Sequence, residues 1–122
     1  METITADKTK LAAHYHNTYD RAIENIIISM YYGINVFDSS IAGLGGCPYA
    51  KGATGNVPTE DVLFLCEVRY KLNKLLGIKT EVNIKEAINL GKFIIGTFGY
   101  EKRTSVGLED LDAITNYQQM LV

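Results

Sequence analysis

Residues 10–39 read KLAAHYHNTYDRAIENIIISMYYGINVFDS, and this stretch decides the fold. Residues 10–16 alternate as a short strand does, and residues 34–39 form a β-rich run typical of a strand buried on both faces. Between them, apolar residues from Ile23 to Tyr31 recur at helical spacing, which predicts an amphipathic helix capped by Asn17 and ended by Gly33. A strand, a helix and a second strand within about 30 residues form a βαβ unit with parallel strands.

Three more helices are predicted after this unit. Pro58, followed by two acidic residues, marks the start of one helix, and Gly77 marks its end. Asn83 and Glu86 resemble a capping box for the next helix. A polar link over residues 100–105 then leads to a last helix with weaker periodicity. We therefore expect an α/β fold with a C-terminal helical extension.

A glycine-rich loop follows the second strand. Five of the chain's 11 glycines lie between Gly43 and Gly55, so the backbone there can adopt positive φ and approach a ligand closely. Cys47 lies in this loop, where a thiol can give or take a proton if its pKa is tuned. The alternative, a small buried apolar side chain, is the interpretation we favour for Cys66, which lies in an apolar helical stripe.

A metal site is predicted at the carboxyl end of the first strand. Period-2 alternation places His14 and His16, the only histidines in the chain, on one face, and Asn56 adds an oxygen from the far end of the glycine loop. These donors suit Mg²⁺, Mn²⁺, Zn²⁺ or Co²⁺. The alternative is that both imidazoles make only ordinary hydrogen bonds. Asp38 is either a partner that supports a metal ligand or a buried capping carboxylate.

Composition limits the class of protein. The 122 residues carry a net charge of −2 without a basic stripe, which argues against nucleic acid as the main partner. No apolar run reaches the roughly 20 residues of a membrane span, and the first residues lack the pattern of a signal peptide. Two cysteines fit neither a zinc spacing nor a disulfide framework, so we expect a cytoplasmic protein.

The glycine loop also carries a family resemblance. Residues 40–49, SIAGLGGCPY, followed by GATGN at 52–56 and TED at 59–61, closely resemble the signature of 3-hydroxy-3-methylglutaryl-CoA lyases. The segment LAAHYHNTY at residues 11–19 is similar to that family's metal-binding strand. The resemblance runs from about residue 8 to residue 66, and more loosely to about residue 98.

The resemblance implies a reaction and a set of site residues. The family cleaves 3-hydroxy-3-methylglutaryl-CoA to acetyl-CoA and acetoacetate in a (β/α)₈ barrel, with a divalent cation, which we expect to be Mg²⁺ or Mn²⁺. His14, His16 and Asn56 match its metal ligands, and Cys47 matches the loop cysteine of its acid/base chemistry. Two departures stand out, since Asn17 replaces the usual aspartate and Asp20 the usual glycine.

The resemblance also implies a partial barrel. Such a barrel needs about 250 residues, so the match covers the last three β/α units, with about three parallel strands in residues 1–99 and a link and helix in 100–122. The first-strand arginine and aspartate of the family have no counterpart. Open sheet edges predict association with a second copy or with a chain that carries the first half of the barrel.

Two other functions remain open at this point. An inactive remnant of such an enzyme would keep the sequence signature and lack turnover. A condensing enzyme of the isopropylmalate or homocitrate synthase kind would explain the two histidines but not the loop around Cys47.

Overall fold

Two short parallel strands are paired in the computed structural model, which describes residues 7–45, 55–68, 80–100, 103–104 and 106–120. Strand β1 is Ala12–His14 and strand β2 is Val36–Asp38, and the register places His14 opposite Asp38. Helix α1, Ala22–Tyr31, connects the two strands, so the predicted parallel βαβ unit is confirmed. The carboxyl ends of both strands meet at one edge of the sheet.

The sheet is smaller than predicted. Among the described residues it has two strands, where about three were expected, and each strand is three residues long. A 3-10 turn at Lys8–Lys10 delays the start of β1. The chain after the glycine loop forms only single bridges, from Asn56 to His16 and from Pro58 to Ser40, because Pro58 has no N–H to extend a ladder and helix α2 begins at once.

Helix α1 begins later than predicted. A 3-10 turn at Thr18–Asp20 follows Asn17, and Tyr19 and Asp20 adopt positive φ of 53° and 58°. The Asn17 side chain still accepts a hydrogen bond, at 3.2 Å, from the backbone N–H of Ala22. Asp20 thus occupies a conformation that glycine would adopt without a steric cost.

Three further helices complete the described part of the chain. Helix α2 is Thr59–Val68, α3 is Ile84–Phe98 and α4 is Leu108–Met120. The predicted cap of α3 is confirmed, because the Asn83 side chain accepts from the Glu86 N–H at 3.2 Å. Gly99 ends α3 in the left-handed conformation. The predicted end of α2 at Gly77 lies outside the described residues.

The buried apolar side chains form two clusters. The first joins α2, α3 and α4, and its members are Leu63, Ile84, Ala87, Ile88, Val106 and Leu111. The second joins α1 to α2 and the chain after the loop, and its members are Ala22, Ile26, Val57 and Leu65. Tyr31, placed in the apolar stripe of α1 by the sequence pattern, is 81% exposed. Among the described residues, no helix has both the length and the apolar character needed to cross a membrane.

Candidate metal centre

The two histidines lie together at the carboxyl end of β1. His14 is the last residue of the strand, and His16 forms a backbone bridge two residues later. Their rings meet edge to face with centroids 5.2 Å apart. This proximity follows from the alternation of side chains along extended backbone, in which residues two apart point to the same side. The structure therefore places both imidazoles on one face, as the sequence predicts.

Asp38 is the neighbour of His14 across the sheet. It ends β2 directly opposite His14, and its Oδ1 contacts the Nδ1 atom of the imidazole. The two side chains are 62% and 53% exposed, respectively, so Asp38 is not a buried capping carboxylate. A carboxylate that holds one ring nitrogen fixes the orientation of the imidazole and leaves Nε2 as the nitrogen that faces a ligand.

Asn56 comes to the same place from the other side of the glycine loop. Its backbone forms an antiparallel bridge with His16, while the adjacent Gly55 accepts the N–H of Asn17 at 2.8 Å. The side-chain nitrogen of Asn56 donates to the carbonyl of Leu44 at 3.0 Å. This bond fixes the amide plane and so determines where its oxygen points. The structure brings Asn56 and His16 together, as the metal-site prediction requires.

The entrance to the glycine loop is held by a buried carboxylate. Ala42 adopts a positive φ of 58° in a 3-10 turn at Ile41–Gly43. Both carboxylate oxygens of Glu60 accept its N–H, at 2.9 and 3.0 Å. Glu60 is only 1% exposed, and burial raises the pKa of its carboxyl despite these hydrogen bonds. The sequence pattern assigned Glu60 only to the start of a helix.

Asp61 and Cys66 belong to the same helix but not to the histidine cluster. Burial raises the pKa of Asp61, while a hydrogen bond from Thr104 opposes that shift. Burial also raises the pKa of the Cys66 thiol. Cys66 is a free cysteine and is 8% exposed. The prediction that Cys66 is a buried side chain in the helix is confirmed.

Arg103 is a residue that the sequence pattern missed. Its Nη1 donates to the carbonyls of Gly43, at 2.8 Å, and Gly45, at 3.1 Å. It comes from the predicted polar link about 60 residues away, where no periodicity or motif marks a single arginine. Only the fold reveals this contact.

Cys47 lies outside the described residues, so its predicted role stays a prediction. The described donor set is two imidazoles and one amide, with Asp38 behind His14. Nitrogen and oxygen donors of this kind suit a divalent cation, and these three would supply part of its coordination sphere. In the described ranges no three His, Cys, Asp or Glu side chains cluster in a way that could hold a metal ion.

Comparison with known proteins adds an independent line of evidence. Residues 1–94 match the HMGL-like family model. The mitochondrial hydroxymethylglutaryl-CoA lyase of Arabidopsis thaliana is 53% identical over 94 residues, which are 77% of this chain and 18% of the plant protein. The hydroxymethylglutaryl-CoA lyase structure from Pseudomonas aeruginosa is 47% identical with a TM-score of 0.67, covering 82% of this chain and 31% of that one.

A second solved structure is similar and contains ligands. It is an HMG-CoA lyase from Acinetobacter baumannii in complex with coenzyme A and 3-methylmalate. It is 32% identical with a TM-score of 0.65, covering 79% of this chain and 29% of that one. The chain thus spans less than a third of the length of each of these three relatives.

Proposed function

This chain belongs to the HMGL-like family, and on that premise we propose that it supplies the metal-binding part of a 3-hydroxy-3-methylglutaryl-CoA lyase active site. The observation that carries the proposal is the juxtaposition of His14, His16 and Asn56, with Asp38 supporting His14. The proposed reaction is cleavage of a carbon–carbon bond to release acetyl-CoA and acetoacetate.

We propose that the chain corresponds to the C-terminal part of a (β/α)₈ barrel. Its parallel βαβ unit and the helices after it are supporting features, because such barrels place their chemistry at the carboxyl ends of parallel strands. The candidate ligands lie at that end of β1 and β2. The remaining strands would come from a complementary chain or from further sequence of a longer protein.

Three side chains of this chain would hold a divalent cation, Mg²⁺ or Mn²⁺. His14 would offer Nε2, His16 its imidazole and Asn56 its amide oxygen, while Asp38 keeps His14 in orientation. When bound, the cation supplies Lewis-acid stabilisation of negative charge on a substrate oxygen. The coenzyme A in the Acinetobacter relative supports an acyl-CoA as the class of substrate.

Cys47 would move the proton that completes the cleavage. A base takes the proton of the C3 hydroxyl, C3 becomes a carbonyl carbon, and the electron pair of the C2–C3 bond stays on the departing acetyl-CoA as an enolate, whose C2 carbon must then gain a proton. A thiol on a glycine-rich loop after β2 suits this second transfer, provided that its pKa lies near the working pH. Cys66, buried in α2, has no access to such a role.

The test is reconstitution of the missing barrel. The chain is mixed with a polypeptide carrying the N-terminal part of the Pseudomonas lyase, and acetyl-CoA release from 3-hydroxy-3-methylglutaryl-CoA is measured with Mg²⁺. We expect turnover in the mixture, its loss by about 10²–10⁴-fold in Cys47→Ser, and its retention in the matched control Cys66→Ser. Turnover that survives Cys47→Ser contradicts the role of Cys47, and a mixture without turnover favours an inactive remnant.

A further inference from the structure

Arg103 touches both ends of the glycine loop. At the start of the loop its Nη1 atom donates to the carbonyls of Gly43 and Gly45. At the far end, a Cβ on Gly55 would collide with the same Nη1 atom. The three glycines adopt positive φ of 68°, 81° and 96°, which lets the backbone carbonyls approach the guanidinium. One cation therefore bridges residues that are 12 positions apart in sequence.

Asn56 takes part in the same arrangement. Its side-chain nitrogen donates to the carbonyl of Leu44, the residue between the two glycines that Arg103 binds. Three successive carbonyls, those of residues 43, 44 and 45, are thus held alternately by Arg103 and Asn56. Hydrogen bonds from a charged donor are stronger than those between neutral groups. The two bonds from Arg103 therefore hold this backbone more strongly than the bond from Asn56 does. A shift of this backbone would move the acceptor that orients the Asn56 amide.

We infer that Arg103 is a positioning residue that fixes the loop entrance and, through it, the orientation of the Asn56 side chain. Arg103 would act through the backbone on either side of the Leu44 carbonyl, since its Nη1 atom donates to the carbonyls of Gly43 and Gly45. The inference rests on the proposed function for the role of Asn56 as a metal ligand. Arg103 lies beyond the residues 1–94 that match the family model.

The experiment compares the full chain with Arg103→Met, Arg103→Lys and the control Arg21→Met. Arg21 is a suitable control because its guanidinium is exposed and forms a 3.8 Å pair with Glu24 on α1, apart from the hydrogen bonds that Arg103 makes to the glycine loop. NMR measures hydrogen exchange of the Asn56 side-chain amide, and calorimetry measures Mn²⁺ affinity. We expect faster exchange in Arg103→Met, and Mn²⁺ affinity lower by about 10- to 100-fold, the usual cost of losing support behind a ligand.

The conservative variant separates positioning from mere stability. Both bonds come from one nitrogen, so an ammonium in Arg103→Lys can replace them in part, and we expect exchange and affinity between those of the native chain and Arg103→Met. If Arg103→Met does not fold, the lysine variant alone decides. Native exchange of the Asn56 amide in whichever variants fold overturns the inference.

Failure of the proposed function gives a different result. If the native chain binds no Mn²⁺, the metal site is contradicted, while the exchange of the Asn56 amide still decides whether Arg103 positions it. Arg21→Met must match the native chain in both measurements. A change of equal size in this control would also overturn the inference, because any arginine would then have the effect.

Discussion

The contact between Asp38 and His14 joins the two strands through their side chains. Parallel register places the residues opposite each other, and the carboxylate meets Nδ1. The sequence pattern left Asp38 with two interpretations, support for a ligand or burial as a cap. Its exposure excludes the second. The two were indistinguishable from sequence because both need only a carboxylate at the end of a strand.

We predict that Asp38→Asn weakens Mn²⁺ binding by about 10- to 100-fold. An amide cannot fix the imidazole tautomer as a carboxylate does, so Nε2 is presented less often in the form that binds a metal. Titration calorimetry of the variant measures the affinity. The matched control is Asp112→Asn on the exposed side of α4, which should bind as the native chain does. Equal affinities for native and Asp38→Asn would contradict the assigned role.

At the scale of elements, helices α2 and α3 meet where a carboxylate of α2 lies against a glycine of α3. Gly91 is buried in α3, and a Cβ there would collide with Oε1 of Glu60. Gly96, five residues later in the same helix, has nothing within 4 Å of such a Cβ. The sequence predicted helix α3 from its cap at Asn83. The partner of Gly91 was not predictable, because Glu60 comes from another helix and buried carboxylates are rare.

We predict opposite effects of alanine at the two glycines. Gly91→Ala should lower the free energy of unfolding by about 1–3 kcal/mol, since the new methyl group displaces Glu60 in a packed interface. Gly96→Ala should raise it by up to about 1 kcal/mol, because alanine favours a helix over glycine. Urea unfolding followed by circular dichroism measures both. Equal losses in the two variants would show that α2 and α3 do not pack in this way.

The buried carboxylates of α2 also predict a pH dependence. Burial raises the pKa of both Glu60 and Asp61, so the folded chain holds their protons to higher pH than the unfolded chain does. The stabilising contribution is therefore full at acidic pH, below the unfolded values, and is lost as pH rises through the raised folded values.

We expect Glu60→Gln to reduce this loss of stability with rising pH, since the amide oxygen still accepts the Ala42 N–H and carries no charge to bury. The free energy of unfolding in urea is compared at pH 5 and pH 8. The exposed Glu24→Gln on α1 is the control and should keep the native slope. A steeper fall in Glu60→Gln than in the native chain would contradict the sign of the shift.

The sequence predicted the presence of the helices and strands more accurately than the residues at which they begin and end. The cap at Asn83 and the start of α2 were local signals and are confirmed. The strands came out shorter, because a 3-10 turn precedes β1 and Pro58 limits pairing after the loop. Helix α1 starts late because Tyr19 and Asp20 turn the chain at positive φ. Such turns depend on contacts with distant backbone, which local patterns do not contain.

At the scale of the molecule, large apolar side chains remain uncovered. On α1 and after it, Tyr31 is 81% exposed and Val36 53%, and on α3 Phe93 and Phe98 are 63% and 65% exposed. In the complete barrel of the proposed function, neighbouring strands and helices would cover part of such surfaces.

The resemblance to a longer enzyme could be recognised from the sequence, because the loop motif is specific. The pairing of His14 with Asp38 and the reach of Arg103 could not, since they join residues 24 and about 60 positions apart.

We propose that this chain holds a divalent metal through its two histidines. Titration calorimetry of Mn²⁺ into the native chain, His14→Ala and His16→Ala tests it most directly. We predict weak binding with one-to-one stoichiometry in the native chain, because two imidazoles and one amide supply part of a coordination sphere, and loss of that heat in both variants. No heat at millimolar Mn²⁺, or equal heat in all three proteins, would contradict the claim.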